Sequence, residues 1–313
     1  MENIANENWA EIAVTVKTRD IETAGNIANM VVPYGIYIED YSDLENDVRE
    51  ISQSALIDEA LLKADRTKGI IHIYVNPHEN PLEAVSFLKE RLEAADIEYD
   101  IKTADCSTED WVNNWKQYFH PMPVGEKLLI RPVWEEEYDA GGRKVLHIEP
   151  GLAFGTGSHP TTKLCLETLE KHIDENSTVL DIGCGSGILS IASLLLGAKT
   201  ALGVDIDSLA VKTAQANALE NSFDKSRFNA VRGNLTDNVS GKYSVVVANI
   251  VADIIMEFNK DVGNYMDDDG VYITGGIIET REDEVLLSFA QNGFTVKERF
   301  EEKGWLVFVL QKA

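Results

Sequence analysis

Apolar positions change their period repeatedly along this chain. From Trp9 to Val16 they alternate, as in a half-buried strand, and from Ile21 to Val32 they recur near every 3.6 residues, as in an amphipathic helix. Gly35–Ile38 and Gly69–Val75 predict two more strands. Pro81 at a helix start leads a helix over Leu82–Ala94, and Tyr99–Thr103 alternates again. Residues 47–66 fit neither period and predict a partly helical insertion. The resulting order, βαββαβ, is that of the ferredoxin-like split unit, so residues 1–105 are expected to form a small α+β domain. Residues 107–120 carry Trp111 and Trp115 on an amphipathic pattern that opens with Ser107 and Asp110, as a capping box does. This stretch predicts a linker helix over 106–122, its tryptophans set against a domain face rather than a ligand.

The remainder, 123–313, is expected to be a second domain. Leu128–Ile130 and Lys144–Ile148 read as strands, with Asp139–Gly142 as a turn between them. From Thr161 onward helices (161–172, 187–197, 208–220, 252–260, 280–291) alternate with strands (178–181, 201–205, 227–231, 243–248, 271–275). That alternation predicts a doubly wound, mainly parallel α/β sheet. Phe294–Phe300 and Trp305–Leu310, separated by residues 301–304, add a hairpin at its edge and bring the count to seven strands.

Composition narrows the class. The 313 residues are 44% hydrophobic, enough for two real cores. No apolar run reaches the roughly 18 residues of a membrane span, and residues 1–10 are too polar for a secretory signal. Cys106, Cys165 and Cys184 are odd in number and scattered, which argues against a disulfide framework or a zinc site and fits a cytoplasmic protein. The net charge of −25 repels DNA and RNA backbones, and there is no basic cluster to offset it. A cationic macromolecule is the partner this charge would steer in; solubility alone is the other reading.

The densest chemical signal is Asp181-Ile182-Gly183-Cys184-Gly185-Ser186-Gly187, between a predicted strand and a predicted helix. Gly183 and Gly185 permit a tight turn with close backbone approach. Asp205 closes the next strand, where a carboxylate can accept hydrogen bonds from ribose hydroxyls. A dinucleotide site wants a third glycine three residues after the second, but Ile188 stands there. A phosphate-free cofactor, S-adenosylmethionine, fits better than a nicotinamide one. Upstream, Ala153-Phe154-Gly155-Thr156-Gly157-Ser158-His159-Pro160-Thr161-Thr162 forms a glycine-bearing loop running into a helix. Its threonines can cap backbone N–H groups or reach a ligand carboxylate. His159 can act as a general base or hold the turn before Pro160. Asn249 ends a strand, where ligands of open α/β sheets bind, and its amide can accept from an amine or finish a turn. His147 and His172 show no companion acid, and Asp267–Gly270 lacks the downstream Glu of a calcium loop.

The D-x-G-x-G-x-G string resembles the first motif of class I methyltransferases. Together with Ala153–Thr162, Gly203–Asp207 and Asn249–Ala252, it resembles the PrmA family, methyltransferases of ribosomal protein L11, over essentially the whole chain. The resemblance implies a methyltransferase domain behind a ferredoxin-like substrate domain. It implies that Thr162, Gly183, Asp205 and Asn249 contact S-adenosylmethionine, with Asp181 and Gly185 shaping the turn and Phe154 in a loop closing on the cofactor. The implied substrate is L11, free or in the large ribosomal subunit, methylated on lysine side chains and its N-terminal amine. No metal is implied, and no catalytic residue beyond the candidate Asn249. Asn249-Ile250-Val251-Ala252 departs from the N-P-P-Y of enzymes acting on planar amides or adenine, which favours an aliphatic amine. A small-molecule amine methyltransferase is the alternative, and a binding protein with a vestigial cofactor domain a more distant one.

Overall fold

The computed structural model describes residues 10–31, 36–42, 65–75, 81–103, 120–135, 139–149, 157 and 159–313. The chain divides into two compact units, Met1–Tyr118 and Phe119–Ala313. The expected linker helix and the insertion between the second and third strands fall mostly outside the described residues.

In the first unit the elements run β1 (Ala10–Lys17), α1 (Ile21–Asn29), β2 (Tyr37–Glu39), β3 (Lys68–Val75), α2 (Pro81–Ala94) and β4 (Tyr99–Thr103). The sheet order is β2-β3-β1-β4, antiparallel throughout. Alternation in the sequence becomes alternation in burial. Ile12, Val14 and Val16 of β1 and Ile71, Ile73 and Val75 of β3 pack on Ala24, Ile27 and Ala28 of α1 and on Leu88 and Leu92 of α2. Helix α2 stops where Asp96 takes a left-handed φ of 54° and Ile97 N–H bonds back to Leu92 carbonyl at 2.9 Å. The other face of the sheet carries Glu11, Ala13, His72 and Tyr74, all partly or fully exposed.

The second unit opens with a three-stranded sheet of β5 (Met122–Val124), β6 (Leu128–Pro132) and β7 (Lys144–Ile148). β5 escaped the sequence pattern because it is three residues long and contains Pro123. β6 and β7 pair in parallel, so the Asp139–Gly142 turn closes no hairpin. Glu170 holds the β5–β6 turn from below: its carboxylate accepts the N–H groups of Glu126 and Lys127, each at 2.9 Å.

Then follow α3 (Pro160–His172), β8 (Thr178–Ile182), α4 (Ile188–Leu196), β9 (Thr200–Asp205), α5 (Ser208–Glu220), β10 (Phe228–Arg232) and β11 (Tyr243–Asn249). α6 (Ala252–Phe258), β12 (Met266–Ile278), α7 (Glu282–Gln291), β13 (Phe294–Glu302) and β14 (Trp305–Lys312) complete the chain. The seven strands lie in the order β10-β9-β8-β11-β12-β14-β13, parallel except that β14 runs antiparallel to both neighbours. This is a mixed α/β methyltransferase-type sheet. On one face Leu180, Val246, Ala248 and Tyr272 meet Ile255 and Phe258 of α6 and Val285 and Phe289 of α7. Helices α3, α4 and α5 cover the opposite face.

Two boundaries moved for stated reasons. Asp267–Gly270, ahead of the predicted 271–275 strand, is a bulge inside β12, because Tyr243 pairs with Met266 and Val245 with Val271. The closing hairpin turns on Lys303 and Gly304 alone, both at positive φ (52° and 78°), so Glu301 and Glu302 are strand residues. Two left-handed residues match the twist of an antiparallel pair. No helix among the described residues is long and apolar enough to cross a membrane.

Candidate functional site

The order of strands places a crevice where chain direction diverges. β9 lies on one side of β8 and β11 on the other, so the segments leaving β8 and β11 part at their C-terminal ends. Gly183 leaves β8 there with φ +70°, and a Cβ on it would sit 2.3 Å from Ile250 Cγ2, just beyond Asn249. Side chains are therefore excluded twice, by backbone conformation and by the neighbouring loop. Gly185 (φ +53°) and Gly187 (φ +80°) continue the left-handed path into α4.

Asp205 ends β9 beside this turn. Its Oδ2 accepts Gly185 N–H at 2.8 Å and its Oδ1 accepts Asp207 N–H at 2.9 Å. One carboxylate thus sets the glycine turn and the start of α5 together. Asp181, the last polar residue of β8, points toward α3 and α4 and is buried. Ser190 of α4 donates to Asp181 Oδ2 through its N–H at 3.2 Å and its hydroxyl at 2.8 Å, while Oδ1 has no partner. Burial, with Asp205 adding a smaller repulsion, raises the Asp181 carboxyl to about 7.

Asn249 and Thr162 meet across the crevice. Asn249 Nδ2 donates to Thr162 Oγ1 at 3.2 Å; Asn249 Oδ1 is buried without a partner. A buried carbonyl left unpaired is costly unless a donor arrives, so this atom is a natural contact for a ligand N–H or O–H. The neighbouring strand makes room for it. A Cβ on Gly275 would lie 3.1 Å from Asn249 Oδ1, and one on Gly276 would lie 2.3 Å from Ile250 carbonyl oxygen. The β12–β14 register shifts at this point, between Thr274 and Ile277.

Four further residues support the site and carried no motif. Ser190 fixes Asp181. The Gly275-Gly276 pair in a strand was a readable sign of close approach. Asn217 of α5, 2% exposed, had no sequence signal: its Nδ2 donates to Ser186 carbonyl at 2.9 Å and to Glu149 carbonyl at 3.3 Å, and its Oδ1 accepts Glu149 N–H at 3.0 Å. One turn on, Asn221 bonds both backbone groups of His147. The two asparagines thereby imitate a partner strand along the edge of β7, and Asn217 alone extends the link to the glycine turn.

Not every candidate converges here. His159 caps α3, with Nδ1 2.9 Å from Thr161 Oγ1 and 3.3 Å from Thr161 N, and its ring stands edge-on to Trp305. Burial and nearby Lys303 lower it to about 4, which suits a neutral cap better than a base. His172 gains an acid from afar, Glu298 on β13 at 2.9 Å, a pairing no local pattern could reveal. Cys165 and Cys184 are buried free thiols pushed up by desolvation. Phe154 and most of its loop lie outside the described residues. Among the described residues no cluster of acids, histidines and cysteines is disposed to hold a metal.

Known proteins match this arrangement along its length. The family described as ribosomal protein L11 methyltransferase (PrmA) matches residues 8–313. Two Clostridium perfringens proteins named ribosomal protein L11 methyltransferase, one of them from strain SM101, are each 36% identical over 303 residues, spanning 95% of this chain and 96% of theirs. A crystal structure of a ribosomal protein L11 methylase from Lactobacillus delbrueckii subsp. bulgaricus superposes with a TM-score of 0.59 at 30% identity, covering 62% of this chain and 99% of that one. Fold, crevice and full-length similarity agree: the chain belongs to the ribosomal protein L11 methyltransferase family.

Proposed function

We propose that this protein transfers methyl groups from S-adenosylmethionine to lysine side-chain amines and the N-terminal amine of ribosomal protein L11, in the cytoplasm. Family membership supports the substrate. The observation that carries the chemistry is the crevice itself, where a glycine turn tied to Asp205 faces Asn249, whose buried carbonyl oxygen lacks a donor.

The residues present fit the cofactor. Asp205 would hold the ribose; Gly183 and Gly185 would let the backbone approach closely; Thr162 and Asn249 would line the end where transfer occurs. Asp181, buried with an unpartnered oxygen, suits the cationic amino-acid end. When bound, S-adenosylmethionine supplies a methyl already activated by a positive sulfur. The protein's own work is then alignment, worth up to about 7–11 kcal/mol in well-oriented systems. Asn249 Oδ1 would accept a hydrogen bond from the acceptor amine, and Thr162, by holding Nδ2, would keep the amide turned that way. The amine must be neutral to react. With a pKa of about 10.4, a lysine costs about 4 kcal/mol to deprotonate at a pH of about 7.5, an α-amine under about 1.

The N-terminal unit would be the substrate-recognition domain. Its βαββαβ order and antiparallel β2-β3-β1-β4 sheet support a ferredoxin-like assignment, with residues near 106–122 joining it to the catalytic domain.

Incubation of purified L11 with enzyme and isotopically labelled S-adenosylmethionine, read by mass spectrometry, tests the reading. Label on lysines and the α-amine is expected, and Asn249→Ala is expected to slow transfer about 100-fold. Label on small amines but not on L11 would transfer the reading to the small-molecule alternative.

A further inference from the structure

Two aspartates end neighbouring strands at the crevice, and their surroundings differ. Asp205, 6% exposed, has a backbone N–H on each carboxylate oxygen. Asp181, 1% exposed, receives both of its hydrogen bonds from Ser190 on one oxygen, Oδ2, and Oδ1 has none. The titratable groups facing Asp181 are Asp205 from β9, Cys184 from the glycine turn and Cys165 from α3. β11 presents Val247 as its cross-strand partner, and α4 presents Ser190. Burial pushes both thiols up, so neither carries charge near neutral pH. Among the described residues no cation offsets the desolvation of Asp181, and Asp205 opposes its ionisation.

A carboxyl taken out of water without a counter-charge keeps a proton rather than a naked charge. Burial accordingly raises Asp181 to about 7. Oδ2 already accepts two hydrogen bonds, which places the proton on Oδ1. Ionisation there calls for a cation at the same atom. An ammonium group meets that need, with N–H donors for the oxygen and a charge to balance it.

We propose that Asp181 exchanges its Oδ1 proton for the ammonium group of S-adenosylmethionine, so that loading the crevice expels a proton. This deepens the function proposed above and rests on its placing of the amino-acid end. The O–H bond of Asp181 breaks, its proton passes to solvent, and the carboxylate left behind accepts from the ammonium. Cofactor affinity then depends on pH. It is full just above about 7 and falls about tenfold per pH unit below, because the protonated carboxyl must first ionise. An α-amine, with a pKa of about 7.7–8.0, stays charged over that lower range. His159, lowered to about 4, titrates outside it.

Calorimetric titration of the full chain with S-adenosylmethionine, at a pH of about 6.5 in buffers of different ionisation enthalpy, counts the protons released. About 0.8 proton per cofactor is expected. Asp181→Asn keeps the size of the side chain and an oxygen for Ser190; it should release none and bind with an affinity independent of pH between about 5.5 and 7. Ser190→Ala removes a hydroxyl that favours the charged form, so the midpoint of the pH dependence should rise by about one unit. 5′-Methylthioadenosine keeps the nucleoside but has no ammonium, and should bind the parent protein without proton release. These last two measurements report even if Asp181→Asn fails to fold. Equal proton release with 5′-methylthioadenosine, undiminished release in Asp181→Asn, an unmoved midpoint in Ser190→Ala, or a parent affinity flat with pH each overturns the proposal. In all four results the cofactor still binds, and the methyltransferase reading stands. No binding of S-adenosylmethionine at any pH would overturn both.

Discussion

In β1 and β3 every second side chain is buried, whereas β8 and β11 bury runs of consecutive residues. The cause is coverage: α1 and α2 lie on one face of the antiparallel sheet, while the parallel sheet is sandwiched between α3–α5 and α6–α7. The consequence for chemistry is that the two sheets offer different parts of themselves. A half-covered sheet can present a face, and here that face bears Tyr37, Tyr74, Glu11 and His72. A fully covered sheet has only its strand ends, and there Gly183, Asp205 and Asn249 gather. Polar groups also differ in status. On the open face Glu11 is half-exposed and partnered by His72 and Tyr74, and at the strand ends Asp181 and Asn249 are buried with unpartnered oxygens.

The largest effect that would sharpen this contrast concerns Asp181. Its folded-state pKa, about 7, lies above the 3.8 of a free aspartate, so the folded protein keeps a proton that the unfolded chain has lost. The stabilising contribution is complete below a pH of about 4, fades as pH rises toward about 7, and is flat beyond. Asp181→Asn removes this titration. Urea unfolding across that window should therefore show the variant gaining on the parent protein by up to about 4 kcal/mol. Parallel pH profiles would place Asp181 in a wetter setting than its burial indicates. Comparable changes at Glu11 should leave unfolding nearly untouched, within about 0.5 kcal/mol.

Gly183→Ala tests whether the strand end is as tightly specified as the geometry states. Left-handed backbone and the approach of Ile250 together should cost about 3 kcal/mol, read as roughly a 100-fold loss of cofactor affinity by calorimetry. Normal affinity would mean that the turn relaxes freely and that the crevice is not built on close approach.

The smallest effect separates two adjacent asparagines. Asn217→Ala should weaken cofactor binding about fivefold, since it releases Ser186 in the glycine turn as well as Glu149. Asn221→Ala frees only His147 and the helix end. It should lower thermal stability with cofactor affinity unchanged. Equal effects on affinity would show that both merely brace β7.

Much of this architecture was legible in order of period. The βαββαβ run, the alternating helices and strands, and the glycine turn all rest on neighbours close in sequence, where spacing translates directly into local geometry. Misreadings arose where pairing partners decide the outcome. β6 and β7 look like the arms of a hairpin until their parallel register is seen. The Asp267–Gly270 segment looks like a turn until β11 holds it as a bulge. His172 has no acid nearby in sequence, yet Glu298 lies 2.9 Å away.

By itself the amino-acid order determined most of the segments that become helix or strand, and singled out Gly183, Asp205, Asn249 and Thr162, which the fold brings to one crevice. Periodicity and glycine conformational freedom are properties of short stretches and need no distant partner. Tertiary structure alone decided that Thr162 fixes the Asn249 amide, that Ser190 holds Asp181, and that Asn217 joins the glycine turn to β7. These contacts bridge separate elements, and their energies depend on burial and on which donors remain unpaired once the chain has closed.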